Sequence, residues 1–343
     1  MIQQILQYAK KNRCSDVHIT TGGVPMLRID GDMTPIEKAP VMTDEKVMEM
    51  LDSIMTEAQK KTYREKLEMD FAIEVKEGNL RFRVNAFRTI NGPAAVFREI
   101  PTEIKSLSAL SAPEAIRELA TAKKGLVFVV GPTGSGKSTT LAALVDEINT
   151  NHAHHIITIE DPVEFVHKSK KSLVNQREVG SSTLSFAAAL KSALREDPDV
   201  VLVGELRDIE TIHLALAAAE TGHLVLGTLH TSSAAQTINR IIDVFPSEDK
   251  PVIRTMLSTS IRSVISQRLI KKAGGGRCAA YEIMIANSSI RNLIREDKIP
   301  QINSIIELSK NSGMITMKDC IGTLLKRGLI TQEIHDESLI ASD

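Results

Sequence analysis

Short apolar runs recur at intervals through the second half of the chain. The four clearest lie at residues 126–130, 155–159, 200–203 and 224–229, and helix-compatible segments separate them. Runs of this length without polar alternation are typical of strands in a parallel sheet that helices cover on both faces. The pattern predicts a three-layer α/β domain over residues 114–343. Beyond about residue 271 the chain becomes more polar, and we predict a helical region there.

The first hundred residues show a different periodicity. Helix-like segments at 1–10 and 43–67 are combined with shorter segments in which apolar and polar residues alternate, as in half-buried strands. The alternating segments are 16–20, 26–29, 71–75, 80–88 and 94–98. We predict a small α/β domain over residues 1–100. Residues 101–113 have proline at both ends and several serines between them, a composition that predicts a linker.

Composition narrows the range of functions. The 343 residues carry 42 basic and 43 acidic side chains, for a formal net charge of −1, which argues against a strongly basic nucleic-acid-binding protein. No apolar run approaches the roughly 18 residues of a membrane-spanning helix, and the N-terminus lacks the basic-then-apolar order of a signal peptide. Cys14, Cys278 and Cys320 are widely spaced, which predicts neither a disulfide framework nor a zinc pair. We therefore expect a cytoplasmic protein.

A phosphate-binding motif follows the first apolar run of the second domain. It consists of Gly131, Pro132, Thr133, Gly134, Ser135, Gly136, Lys137, Ser138 and Thr139. This is the pattern G-x-x-x-x-G-K-[ST] between a strand and a helix, in which backbone N–H groups and the helix N-terminus surround a phosphate. Lys137 is expected to reach the β- and γ-phosphates of ATP, and Ser138 to ligate Mg²⁺.

A carboxylate at the end of a neighbouring strand is expected to complete the metal site. The run at 200–203 is followed by Gly204, where an aspartate is usual, and then by Glu205. Because the carboxyl ends of parallel strands lie at one edge of the sheet, Glu205 is placed beside the phosphate-binding motif. We expect Glu205 to hold Mg²⁺ together with Ser138.

A second acidic strand end supplies candidates for activating water. The run at 155–159 is followed by Glu160, and Pro162 then predicts a turn that brings Glu164 to the same edge of the sheet. One of these two carboxylates is expected to orient or deprotonate the attacking water. Their spacing does not decide which one.

Histidines flank the last apolar run. His223 and His230 are separated by a predicted strand, and at about 3.3 Å per residue they lie roughly 20 Å apart on opposite faces. They cannot share a metal ion if the strand is continuous, but His230, at its carboxyl end, can reach the phosphate side. The cluster of His152, His154 and His155 fits a solvated turn better than a metal site.

Arginines alternate along the last segments of the first domain. Arg81, Arg83 and Arg88 belong to one β-like segment, and Arg98 ends the next. Taken alone, this pattern indicates a solvated face of a strand. Phosphoryl transfer offers a second interpretation, because an arginine from another subunit often neutralises charge on the transferred phosphate.

Four motifs in order resemble the boxes of the secretion-superfamily ATPases. They are residues 131–139 (Walker A), 158–167 (aspartate box), 194–208 (Walker B box) and 221–231 (histidine box). The similarity extends over nearly the whole chain and is greatest to the retraction ATPases of type IV pili, the PilT type. This resemblance implies a PAS-like N-terminal domain, a RecA-like P-loop NTPase C-terminal domain and a homo-hexameric ring.

The resemblance also implies what the candidate residues do. It implies catalytic roles for Glu160, Glu164, Glu205, His230, Arg81, Arg83 and Arg98. It further implies that ATP and Mg²⁺ power pilus retraction and twitching motility at the cytoplasmic face of the inner membrane. The implied partners are a membrane platform protein at the pilus base and a paralogous retraction ATPase. No direct contact with nucleic acid is expected.

The segment 289–296 helps to distinguish retraction ATPases from the other members of this superfamily. It reads Ser-Ile-Arg-Asn-Leu-Ile-Arg-Glu and differs from the motif of the retraction ATPases in Ser289, where they have alanine. Pilus-extension and secretion relatives typically carry a four-cysteine zinc module, to which only Cys278 corresponds here. An accessory retraction paralogue typically lacks the 289–296 motif, so the main retraction motor is favoured. A RecA-like nucleic-acid motor and a nucleotide-gated ring with little hydrolysis are the alternatives.

Overall fold

The computed structural model describes residues 2–12, 14–29, 32–75, 80–100 and 103–340. The chain forms two compact units, Met1–Glu103 and Ile104–Asp343. Each unit combines helices with one β-sheet, which confirms the predicted α/β fold class. No helix in these ranges is long and apolar enough to span a lipid bilayer.

Within residues 2–12, 14–29, 32–75 and 80–100, the first unit forms three helices and six strands. The helices are α1 (Ile2–Lys11), α2 (Asp44–Ile54) and α3 (Glu57–Lys66). The strands are β1 (Asp16–Thr20), β2 (Met26–Ile29), β3 (Asp32–Pro35), β4 (Glu68–Val75), β5 (Leu80–Thr89) and β6 (Gly92–Ile100). They form an antiparallel sheet in the order β3-β2-β1-β6-β5-β4. Alternation fixes the buried face: Leu80, Phe82 and Val84 of β5 lie in the core, so Arg81 and Arg83 lie on the other face.

The charged segment predicted as one helix at 43–67 is two helices. Thr56 separates them, because its hydroxyl accepts the backbone N–H of Gln59 while the Gln59 side chain accepts the N–H of Thr56. Such a capping box ends one segment and starts a new helix. Strand β3 was not predicted; all four of its residues are exposed, so it has no apolar alternation to reveal it.

Over residues 104–340, the second unit forms seven strands and ten α-helices. The strands are β7 (Gly125–Val130), β8 (His155–Glu160), β9 (Leu173–Glu178), β10 (Val200–Val203), β11 (Leu224–Leu229), β12 (Ile261–Lys271) and β13 (Arg277–Ile285). The helices are α4 (Glu114–Glu118), α5 (Lys137–Asn151), α6 (Phe186–Ala193), α7 (Ile209–Glu220), α8 (Ala234–Asp243), α9 (Lys250–Ser260), α10 (Ser288–Arg295), α11 (Ile302–Leu308), α12 (Met317–Lys326) and α13 (Gln332–Ile340). The sheet order is β13-β12-β7-β11-β10-β8-β9.

This sheet is mostly parallel and carries a core on each face. Among the strands formed by residues 104–340, β13 pairs antiparallel with β12, and the other five pairs are parallel. On β7, Phe128 and Val130 belong to one core while Val127 and Val129 belong to the other, as expected of a central strand covered by helices on both sides. The carboxyl ends of β7, β11, β10 and β8 therefore lie along one edge.

The structure corrects the boundaries predicted for this unit. The helical region predicted from about residue 271 begins later, because β13 pairs with β12 through a glycine-rich turn and helix α10 starts only at Ser288. Strands β9 and β12 were also missed, and both carry many polar residues. Residues 103–113, in the predicted linker, form neither helix nor strand, but Leu107 is buried in the core of the second unit.

Candidate nucleotide-binding and catalytic site

The phosphate-binding loop joins β7 to α5 through backbone conformations that favour glycine. Gly131, Gly134 and Gly136 have φ angles of 147°, 78° and 88°, in the region that side chains disfavour. Gly136 is the N-cap of α5 and has no side chain with which to bond the first turn. The backbone N–H groups at the start of α5 therefore point toward the loop, where a phosphate can accept them.

Lys137 lies between the loop and the carboxylates predicted to act with it. Its Nζ donates to the carbonyl oxygens of Gly131 (2.8 Å) and Pro132 (3.1 Å). Burial lowers the pKa of the Lys137 amine, while the charges of Glu205 and Glu164 act to raise it. Both glutamates thus lie near enough to Lys137 for their charges to act on it.

The Glu205 carboxylate, just beyond the end of β10, contacts an arginine and a histidine. Arg207 Nη2 lies 2.6 Å from one of its carboxylate oxygens, and His230 Nε2 lies 3.3 Å from the other. Burial raises the pKa of Glu205, but the hydrogen bond and charge of Arg207, with those of His230, outweigh burial and lower it overall. Glu205 is therefore ionised at neutral pH, as a metal ligand must be. Sequence reasoning placed His230 near the phosphates but gave Arg207 no role.

Glu160 and Glu164 lie together but in different surroundings. Glu160 ends β8, where the Thr158 hydroxyl (2.7 Å) and the Gln176 amide (3.3 Å) donate to one of its oxygens. Burial raises the pKa of its carboxyl. The backbone N–H of Glu164 donates to the other oxygen of Glu160 (3.3 Å), and the Glu164 residue is itself exposed. The partly buried carboxyl of Glu160 is thus held in place, while the exposed carboxyl of Glu164 extends from the turn after Pro162.

The donors available to Mg²⁺ fit its usual coordination at a phosphate site. Ser138 in the first turn of α5 and the ionised Glu205 supply a hydroxyl and a carboxylate, and Mg²⁺ otherwise keeps waters and phosphate oxygens. The Ser135 hydroxyl is buried in the loop and has no hydrogen-bond partner among the described residues, as expected of a group that contacts a bound ligand. Over the same residues, no three His, Cys, Asp or Glu side chains converge as a metal cluster.

The other histidines lie elsewhere. His223 precedes β11, and its Nδ1 lies 3.0 Å from the Ala218 carbonyl oxygen, so it stands at the opposite end of the strand from His230. Before β8, His152 and His154 stack with ring centroids 5.3 Å apart, and His155 Nδ1 lies 3.2 Å from the Asp197 carbonyl oxygen. These contacts are those of a turn packed against a neighbouring loop.

The candidate arginines of the first unit share one outward face of its sheet. Arg83 and Arg98 are directly opposite in the pairing of β5 with β6, and Arg81 lies two residues before Arg83. Each of the paired positions has its own acid: Arg83 Nη2 lies 2.5 Å from Asp70, and Arg98 Nε lies 2.7 Å from the buried Asp16. The acids offset the repulsion expected between like charges that face each other across strands.

Helix α10 carries most of the 289–296 motif and packs one side on the core. Ile290 and Ile294 are buried and Leu293 is partly buried, at the i, i+3, i+4 spacing of one apolar helix face. Arg291 holds this packing, because its Nη1 donates to the carbonyls of Ser258 (2.5 Å) and Thr259 (2.8 Å) at the end of α9. A cation at the C-terminus of a helix is favourable because the last carbonyls have no helical partner. Arg291 is therefore structural at this contact.

Known proteins resemble this chain over nearly its whole length. The family described as "Type II/IV secretion system protein" matches residues 1–295. The type IV pilus retraction ATPase PilT of Pseudomonas aeruginosa is 54% identical over 97% of this chain and 96% of its own length. A twitching motility protein of Neisseria gonorrhoeae is 55% identical over 94% of this chain and 87% of its own.

A solved structure agrees with the sequence comparison. The crystal structure of the pilus retraction motor PilT with bound ADP matches with a TM-score of 0.91 and 47% identity, covering 98% of this chain and 96% of the other. A family match that spans both units, together with more than half identity over nearly the whole length, goes beyond a shared fold. The chain belongs to the Type II/IV secretion system protein family.

Proposed function

We propose that this chain is an ATP-hydrolysing motor that powers the retraction of type IV pili and thereby twitching motility. The observation that carries the proposal is the convergence of Lys137, Glu205 and Glu164 at the phosphate-binding loop in a chain so similar to named retraction ATPases. We further propose that six copies form a ring at the cytoplasmic face of the inner membrane. There the ring would act on the platform protein at the base of the pilus.

The site suggests how hydrolysis is divided among its residues. The loop N–H groups bind the β- and γ-phosphates, and Lys137 turns from the loop carbonyls to the γ-phosphate. Ser138 and Glu205 would hold Mg²⁺, which would neutralise phosphate charge when bound. Glu164, exposed beside the site, takes the proton of the attacking water, and the partly buried Glu160 fixes the turn that carries Glu164. His230 and Arg207 keep Glu205 ionised and in place.

The genetic test of this function is deletion of the gene, with pilus number and surface motility as readouts. Cells that extend pili but cannot retract them should be immotile and carry more pili than the wild type. A plasmid copy should restore both properties. Cells without pili would instead point to an extension motor, and unchanged motility would contradict a role in retraction.

The outward arginines of the first unit are proposed to complete the site of a neighbouring subunit. If so, a ring that mixes Lys137→Ala and Arg83→Ala chains contains some sites in which the intact loop meets the intact arginine. Each variant alone should have little activity, and the mixture should recover part of it, measured as steady-state phosphate release. Lys66→Ala, a change of an exposed cation at the end of α3, is the control for general charge effects.

This test separates an intersubunit role from an intrasubunit one. Subunit mixing must first be established, for example by copurification of differently tagged chains. If mixed rings show only the average of the two variants, Arg83 does not act across the interface. The same design applies to Arg81 and Arg98.

Helix α10 is proposed to couple hydrolysis to retraction without taking part in the chemistry. Arg295 is exposed on the last turn of this helix, whereas Arg291 holds the end of α9. We expect Arg295→Glu to abolish twitching while leaving ATP turnover within about twofold of the wild type, since an exposed side chain contributes little to stability. Lys298→Glu, an exposed charge reversal just beyond the helix, is the matched control. A parallel loss of turnover and motility in Arg295→Glu would contradict this role.

A further inference from the structure

A buried glutamine on β12 bridges the phosphate-binding loop and the helix that follows it. Gln267 is 2% exposed and lies next to β7, the strand that leads into the loop. Its amide Nε2 donates to the carbonyl oxygen of Ser135 (2.8 Å), and its Oε1 accepts the hydroxyl of Thr140 (2.7 Å). One side chain thus fixes the distance between the loop and the first turn of α5.

The loop is also packed closely against this residue. A Cβ atom on Gly131 would lie 2.3 Å from the Gln267 carbonyl oxygen, and one on Gly136 would lie 2.8 Å from its Nε2. Both glycines are therefore needed for this approach as well as for their positive φ angles. Gln267 contacts the loop near its beginning, its middle and its end.

A polar side chain at this position calls for an explanation. Ile265, two residues earlier on the same face of β12, is apolar and fully buried, so packing alone would favour an apolar residue at position 267 too. A buried amide costs free energy unless it is hydrogen-bonded, and Gln267 recovers that cost only through the loop and Thr140. The amide of Gln267 is therefore explained by its hydrogen bonds to the loop and α5, and not by packing in the core.

The residue before Gln267 on β12 points to the other face of the sheet and holds a different loop, the one that follows β11. The Ser266 hydroxyl donates to the Ser232 carbonyl oxygen (2.6 Å), in the segment that follows His230. Glu282, opposite Ser266 on β13, accepts the backbone N–H of Ala234 (2.8 Å) in the same segment. Two adjacent positions on one strand thus support two of the loops at the nucleotide site.

We propose that Gln267 is a positioning residue that holds the phosphate-binding loop in its nucleotide-binding conformation before nucleotide arrives. The inference rests on the proposed nucleotide site. Because the loop N–H groups are already oriented, binding does not have to order them, and affinity rises accordingly. Gln267 itself touches no phosphate; it acts through Ser135 and Thr140.

The test compares two buried polar residues on the same face of β12. Gln267→Met keeps the length of the side chain and removes both hydrogen bonds to the loop and α5. Ser263→Ala removes a buried bond to the Met284 carbonyl oxygen (2.8 Å), four residues earlier on the strand. Both variants should lower the melting temperature of the nucleotide-free protein. With Mg²⁺ present, Gln267→Met should weaken ADP binding about tenfold, the effect of one to two net hydrogen bonds, and Ser263→Ala by less than about twofold.

A second variant tests the bridge from its other end. Thr140→Val removes one of the two bonds with little change of shape, so it should weaken ADP binding by less than Gln267→Met does. In the Gln267→Met background the same change should have almost no effect, because the bond is already absent. If Gln267→Met does not fold, Thr140→Val decides alone.

The outcomes distinguish this proposal from the function it rests on. ADP affinity within about twofold of the wild type in Gln267→Met, or in Thr140→Val where only that variant folds, overturns the positioning role and leaves the nucleotide site intact. Equal weakening by Ser263→Ala and Gln267→Met also overturns it, since any loss of stability would then suffice. Failure of the wild-type protein to bind ADP would instead refute the proposed function.

Discussion

Replacing Lys137 with alanine is expected to reduce ATP turnover by at least about a hundredfold, the usual loss when a preorganised charge contact to the transition state is removed. The Lys137 amine is half-buried against the loop carbonyls and faces Glu205 and Glu164, a position that serves a phosphate rather than a core. The measurement is steady-state phosphate release by the purified protein, with melting temperature as a check on folding.

A lysine at the other edge of the sheet provides the matched control. Lys124 directly precedes β7 and is exposed, so Lys124→Ala removes the same charge at the opposite end of the strand that leads into the loop. It should keep near-normal turnover. Turnover close to the wild type in a well-folded Lys137→Ala protein would contradict the assignment of residues 131–139 as the phosphate-binding loop.

The second large effect is expected from Glu205→Gln, which should reduce turnover by about a hundredfold or more while ATP still binds. Arg207 and His230 keep the Glu205 carboxyl ionised, and the change removes this negative charge. It thereby removes the carboxylate that is proposed to bind Mg²⁺. Its cost in stability should be below about 1 kcal/mol, since Glu205 and its partners are partly exposed. Turnover and nucleotide affinity are measured on the same preparation.

Variants of two other glutamates distinguish the loss of a metal ligand from other causes of low turnover. Glu164→Gln should also reduce turnover while ATP still binds. Glu205→Gln should raise the Mg²⁺ concentration needed for half-maximal activity, whereas Glu164→Gln should leave that concentration unchanged. Glu210→Gln, in the exposed first turn of α7, should be silent. If Glu205→Gln hydrolyses ATP normally at low Mg²⁺, the residue is not the proposed metal ligand.

The sequence predicts those parts of the site that depend on a fixed residue spacing or on the position of a residue at the end of a strand. The spacing of Gly131, Gly136 and Lys137 after a buried strand defines the loop, and the ends of β8 and β10 deliver Glu160 and Glu205 to the same edge. These features follow from local backbone chemistry and from the parallel arrangement of strands. The sequence could not choose between Glu160 and Glu164, because their difference in burial arises from packing.

Long-range contacts account for what was missed. Gln267 lies far along the chain from Thr140, so no local pattern signals their hydrogen bond. Ser263, Ser266 and Gln267 also made β12 look too polar for a central strand, although all three are buried and hydrogen-bonded. The contact of Arg291 with α9 is equally hidden in the sequence, because its partners are backbone carbonyls of that helix. A polar residue inside an otherwise apolar strand is the signal that could have directed attention to Gln267.

The central claim is that hydrolysis at this loop drives pilus retraction. Its most direct test is retraction speed, measured on fluorescently labelled pili in cells whose chromosomal copy carries Lys137→Ala, with Lys124→Ala cells as the control. We predict that Lys137→Ala cells extend pili normally, retract them rarely or very slowly, and do not twitch, while control cells match the wild type. Wild-type retraction speed in Lys137→Ala cells with no other copy of the gene would contradict the account.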